Sequence, residues 1–186
     1  VSFVFVSGNL ALDFLGTLKW RDSAPEEFLN DPSDAAEWAL GAAVFTAPPE
    51  VSDADLRKLI ELRESVYRLV TAARTDQPWT AEDLRRVNDY ADAPAPSFAL
   101  SATGLRRSGN ARTLGGEVAR AAADLLARAD EMVLRECGRE QCTRVFIDRS
   151  RTGNRRWCDM EECGNRIKAA QYRARKAKPL EEASYL

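Results

Sequence analysis

Histidine is absent from the 186-residue chain. With it go the Ser-His-Asp and Cys-His nucleophilic systems, His-ligated catalytic zinc and the histidine general base. Catalysis would have to run on carboxylates, Lys, Tyr or a cofactor, and the chain is read as no enzyme. Also lacking is any apolar run near the roughly 20 residues that a membrane helix needs. There is no charged start followed by an apolar segment of the secretory kind. The expectation is a cytoplasmic protein with no membrane partner. Internal repeats and low-complexity tracts are missing too, and no cysteine precedes Cys137.

What is there is concentrated at the other end. Cys137 and Cys142 enclose four residues, Cys158 and Cys163 enclose four more, and fifteen lie between the pairs. In a reducing compartment matched pairs point to one structural zinc ion held by Cys137, Cys142, Cys158 and Cys163; outside the cell two disulfides are the alternative. Four thiolates close the coordination shell, so this metal builds structure and does no catalysis. The net charge of -2 hides a division: Arg135 to Lys178 carries 13 Lys/Arg against 6 Asp/Glu, while the chain before it carries 14 against 21. Halves of opposite sign either meet different partners or neutralise each other within the molecule.

Local patterns give the frame. Val1 to Val6 alternates like a short strand, and Asn9 caps a helix with Leu10, Phe14, Leu15 and Leu18 on one face. Asp31-Pro32 starts a second helix that ends near Gly41. Ser52 starts a long one with Leu56, Leu59, Ile60, Arg63, Val66, Tyr67, Val70 and Ala73 at helical spacing. Thr80 and Asp83 have the form of a capping box for a helix to about Ala91. A hairpin is expected around Thr103-Gly104, followed by an Ala-rich helix from Leu114 to Glu136 that buries Ala129 and Val133 and carries the cysteine module directly.

Inside the module, Arg144 to Asp148 reads as a strand returning through a turn to Arg155-Arg156-Trp157. Asp159 caps the last helix with Glu162 reaching back, which places Cys163 in its first turn. That helix turns Cys163, Ile167, Ala170 and Ala174 inward. Asn165, Lys168, Tyr172, Arg175 and Lys176 face outward, with Arg166 and Arg173 on a flank and Arg155 and Arg156 as a second basic edge. Cations for phosphates, an amide and an aromatic ring make a candidate nucleic-acid face. The alternatives are a solvated amphipathic helix and, for Arg166, a hydrogen bond near the thiolates. A second candidate cluster for a small-molecule ligand is Asp13, Thr17, Trp20, Arg21 and Arg63, in which Arg63 near Asp13 would either clamp an acid or hold the fold together.

Trp157-Cys158-Asp-Met-Glu-Glu-Cys163-Gly164-Asn165-Arg166-Ile-Lys168 resembles the CGNR-type zinc finger of bacterial proteins. Upstream, Gly8-Asn9-Leu-Ala-Leu-Asp13-Phe14 with Thr17-Leu18 resembles the opening of the ABATE domain, which those fingers typically follow. Gly16 departs from the relatives, which usually carry Asn there. The resemblance implies a stress-linked transcription regulator whose amino-terminal domain senses a small effector while the finger binds DNA. It divides the chain into an ABATE-like helical sensing domain at 1–134, a CGNR finger at 135–178 and a tail at 179–186. The expected fold class is α+β and mostly α-helical: a helical domain with a small β-sheet, then a treble-clef-like zinc ribbon with a basic helix. An adaptor gripping an acidic protein surface, including that of a second copy in a homodimer, and an RNA-binding protein are the competing readings.

Overall fold

The computed structural model describes residues 2–177, without the side chains of Glu162, Gln171 and residues 174–177. Four helices enclose its main core, and each begins where the sequence supplies a cap. Asn9 accepts from Ala11 N and Leu12 N and opens α1 (Leu10–Leu15). Ser52 and Asp55 form a capping box that opens α3 (Asp53–Arg74). Thr80 opens α4 (Ala81–Ala91) and Asn110 opens α5 (Ala111–Ala127). Leu12, Phe14, Leu59, Leu62, Val66, Leu114, Val118 and Leu125 fill the space between them. Outside this group lies α2 (Pro32–Gly41), with Asp31 and Asp34 as its capping box; its Trp38 meets Phe14 edge-on with ring centroids 4.8 Å apart.

Sheet is sparse. β1 (Leu18–Lys19) pairs with β2 (Glu26–Glu27), β3 (Ser97–Ser101) with β4 (Gly104–Ser108), and β5 (Leu134–Glu136) with β6 (Val145–Ile147), all antiparallel. The chain is thus an α+β protein, mostly helical. Among the described residues no helix is long and apolar enough to cross a membrane.

Several local expectations need correction. Residues 2–6 form no strand; they are held against the cysteine module, where Val4 O accepts from Arg144 Nη1 at 2.9 Å and Val6 O from Arg155 Nη2 at 3.3 Å, and the next residue, Ser7, accepts from Ile147 N at 2.9 Å. The first helix ends at Leu15, so Leu18 lies in β1 instead of on a helical face. At α4, Asp83 does not reach back to a backbone amide: it accepts from the Thr80 hydroxyl at 2.7 Å and from Arg68. The Ala-rich helix stops at Ala127, a 3-10 turn spans Ala129–Glu131, and Val133 is exposed. Nothing local demands that stop. Leu134–Glu136 is claimed by pairing with β6, far along the chain, and tertiary pairing overrides helical propensity. The boundary expected between 134 and 135 therefore falls inside β5.

β6 explains how the module is held. Successive side chains of a strand point to opposite faces. Val145 and Ile147 join the main core, whereas Phe146 between them packs under the cysteines. One strand serves two cores, so the module is seated through β6 and not through a helix. An Arg74–Glu136 ion pair at 2.9 Å adds a link from the end of α3.

Candidate metal centre and nucleic-acid face

The β5–β6 hairpin carries the first cysteine pair at its tip. Cys137 N donates to Arg144 O at 3.0 Å, closing the ladder, and Cys142 N donates to Arg139 O at 2.8 Å in the tight turn between them. The hairpin partner of β6 is thus the segment before Cys137; the expected return along Arg155-Arg156-Trp157 crosses the knuckle without forming a strand. Gly138 permits that crossing. Its N–H donates to Arg156 O at 2.9 Å, and a Cβ there would lie 2.9 Å from Arg156 Cγ.

The second pair is held differently. Cys158 N donates to Cys137 Sγ at 3.4 Å, tying one knuckle to the other. Asp159 O then accepts from Cys163 N at 3.3 Å and from Gly164 N at 2.9 Å, the wider turn of a π-helix spanning Met160–Gly164. Asp159 caps this turn through Glu161 N at 2.8 Å, while the Glu162 side chain lies outside the described residues. The last α-helix, α6 (Asn165–Ala177), follows at once, so Cys163 sits in the turn that launches it rather than in its first α-helical turn.

All four sulfurs lie within 4.8 Å of one another. Cys158 Sγ is 3.6 Å from Cys163 Sγ and 3.9 Å from Cys142 Sγ. Ligands at zinc–sulfur bond length on a tetrahedron stand about 3.8 Å apart, so the cage fits that ion. Among themselves the four sulfurs cannot all carry charge. Donation from Cys142, Cys158 and Cys163 pulls the Cys137 thiol far below its ordinary value, and that thiolate in turn pushes Cys142 and Cys158 far up. A dication at the centre stabilises all four as thiolates together. Phe146, fully buried, closes the cage from below, and Arg139 Nη1 stands 4.0 Å from Cys163 Sγ. Arg139, not Arg166, is the described guanidinium within reach of a sulfur. Sequence pattern alone singles out neither Arg139 nor Phe146, although a cation inside the first knuckle and an aromatic at the centre of its strand are both visible there.

On α6, Asn165, Arg166, Lys168, Tyr172 and Arg173 are exposed and Ile167 is half-buried. Ala170, expected inward, is exposed: among the described residues the helix leaves the body of the protein after its first turn. The side chains of Ala174, Arg175 and Lys176 lie outside the described residues. The two basic residues before Cys158 diverge. Arg156 is exposed, with its guanidinium 4.8 Å from the Trp157 ring centroid. Arg155 turns inward, donating to Trp157 O at 2.9 Å and to Cys158 O and stacking 4.5 Å from the Phe146 ring. Its guanidinium is spent on the second knuckle and is removed from the outward face.

The other candidate cluster comes apart in space. Arg63 is 1% exposed and donates to both Glu27 oxygens at 2.6 and 2.7 Å, to Thr17 Oγ1 at 3.0 Å and to Glu64 Oε1 at 2.8 Å. Arg21 takes the other Glu64 oxygen at 2.6 Å and lies 4.0 Å from the Tyr67 ring. Asp13 has a different neighbourhood: burial raises its pKa, its Oδ1 accepts from Ser7 N at 2.9 Å, and its charged neighbour is Arg144. Arg63 and Asp13 therefore form no joint clamp, and Glu27, an acidic residue in a polar stretch, is the partner that local pattern gave no reason to choose. Trp20 stands elsewhere, on the cleft between the helical domain and the knuckles.

Two family models match the chain. ABATE, described as "Putative stress-induced transcription regulator", matches residues 8–129, and the CGNR zinc finger matches residues 134–176. No curated protein matches it. The cysteine cage falls within the second match, and the ion it holds is one zinc.

Proposed function

The chain belongs to the ABATE family and carries a CGNR zinc finger, and from that premise we propose that it is a transcription regulator whose finger binds duplex DNA through α6 under the control of the amino-terminal domain. The observation that carries this reading is the placement of the basic face. Arg166, Lys168 and Arg173 project from a helix whose launching turn contains a zinc ligand, and they are exposed instead of being packed on the acidic domain. Cations held on a rigid helix neutralise phosphates, Asn165 supplies an amide for a base edge or a phosphate, and Arg156 extends the face at the second knuckle.

The test is fluorescence anisotropy of the zinc-loaded chain on duplex DNA across a salt series. Log affinity should fall linearly with log salt, and removing one cation that neutralises a phosphate should reduce the slope by about 1. Lys168→Glu with Arg173→Glu should lower both affinity and slope while the zinc content stays at one ion per chain. A double variant that binds DNA like the parent, or retention of an acidic protein partner after nuclease treatment with no duplex affinity at all, would overturn the proposal in favour of an adaptor.

A further inference from the structure

Between the helical domain and the finger lies a cleft of 330 Å³, at the lower end of the range of small-molecule sites. Leu18, Trp20 and Phe28 line it from the β1–β2 side, and Thr143, Arg144 and Arg166 from the finger. Cys142, Cys158 and Cys163 close one end, which belongs to the zinc. Its lining holds the cations Lys19, Arg139, Arg144 and Arg166 against the carboxylate of Glu26 and the zinc-bound thiolates, which keep a net negative charge on the ion. Arg139 serves the thiolates and Lys19 lies 4.4 Å from the Phe28 ring.

Arg144 stands out. It is 7% exposed, and its one hydrogen bond among the described residues is Nη1 to Val4 O. No described ion pair includes it, in contrast to buried Arg63. The carboxyl that acts on it, Asp13, is engaged by Ser7 N at 2.9 Å and makes no described ion pair with it, so the guanidinium keeps donors for an anion in the cleft. Its position is built in: the guanidinium lies against Gly16, where a Cβ would come 2.8 Å from Nη1. Across the cleft, Trp20 has φ 51°, a left-handed backbone that is a genuine outlier for a bulky residue and that the surroundings must hold in place.

We propose that this cleft is the effector site and that it takes a small organic anion with a flat apolar body. The anionic group pairs with Arg144 and Arg166, and the body lies among Leu18, Trp20 and Phe28. The fork of Arg144 suits a carboxylate, and the apolar wall has no use for an inorganic anion. Both walls contribute, so occupancy ties the amino-terminal domain to the base of α6. The term effector rests on the regulator reading; binding itself does not, and it is measured without DNA.

The experiment is isothermal titration calorimetry of the zinc-loaded full chain with benzoate, benzamide and inorganic phosphate as probes. Benzoate should bind with a dissociation constant on the order of 0.1–1 mM, the affinity open to so small a ligand. Benzamide and phosphate should each bind at least tenfold more weakly. Arg144→Gln with zinc retained should weaken benzoate about tenfold, the loss expected of a charge-assisted pair. Arg166→Gln, at an exposed position where folding is not at stake, should weaken it about threefold. Benzamide or phosphate binding as tightly as benzoate, no benzoate binding at millimolar concentration, or unchanged affinity in either variant would overturn the proposal. Loss of DNA binding in the same preparation leaves each of these outcomes readable.

Discussion

Replacing Glu27 with Gln should cost more stability than replacing Arg63 with Met, although both remove the same ion pair. Glu27→Gln leaves the Arg63 guanidinium buried at 1% exposure with an amide where two carboxylate oxygens had stood at 2.6 and 2.7 Å. Losing one partner of a buried pair costs about 3–5 kcal/mol. Glu64 keeps its contact with Nε at 2.8 Å, which brings the expectation down to about 2–3 kcal/mol. Arg63→Met leaves nothing charged inside. Glu27 is 30% exposed and still accepts from Phe28 N and Leu29 N at 3.0 Å, Glu64 keeps Arg21, and Thr17 keeps its donation to Phe14 O. Its cost should be about 1 kcal/mol, since an apolar chain of similar volume replaces the ion. Urea unfolding of the zinc-loaded protein reads the difference. With a slope of about 2 kcal/mol per molar, the midpoint should fall about 1–1.5 M in Glu27→Gln and about 0.5 M in Arg63→Met. An Arg63→Met variant as damaging as Glu27→Gln would show that a stranded buried cation is not the source of the cost.

Acid should weaken the α3–α4 contact in a definite window. Donation from Arg68, helped by Thr80 and Ser65, holds the Asp83 carboxyl at about 2, below its ordinary 3.8. A depressed pKa contributes stability above the ordinary value and loses it as pH falls toward the folded one, so about 1–2 kcal/mol should disappear between about pH 4 and pH 2, after discounting for the half-exposed Arg68. The stability difference between the parent and Asp83→Asn should shrink across that window, a comparison in which zinc release cancels; a constant difference would count against it. The two faces of β6 should also separate by mutation. Ile147→Ala should lower the global unfolding free energy by about 2–4 kcal/mol, whereas Phe146→Ala should chiefly speed zinc release to a chelator. The reverse assignment would contradict the two-core arrangement.

Much of the frame is legible in the sequence because it is encoded locally. Asn9, Asp31-Pro32, Ser52 and Thr80 start helices where their side chains satisfy free amides, and the hairpin turns at Ala102-Thr103, beside Gly104. The paired cysteines announce their own proximity, because a tetrahedral thiolate site needs nothing further along the chain. What cannot be read depends on distant partners. No local breaker ends α5 at Ala127; Val145 and Ile147 recruit Leu134–Glu136 into a sheet. Arg155 looks like any surface cation until Phe146 and the Cys158 carbonyl stand beside it. The helical periodicity that places Ala170 inward holds only where another element covers that face, and α6 runs past the body of the protein. Arg63 draws notice by its place among apolar residues, yet its meaning lies in Glu27 across the fold.

If one zinc ion folds the knuckles and thereby presents α6 to DNA, metal uptake and DNA binding must rise together. Titrating zinc into the metal-free full chain while following duplex anisotropy reads both at once. Salt-sensitive DNA affinity should grow with zinc and saturate at one equivalent, and the Lys168→Glu, Arg173→Glu variant should take up zinc without gaining that affinity. Equal DNA affinity in the metal-free and zinc-loaded chains would contradict the coupling of metal to DNA.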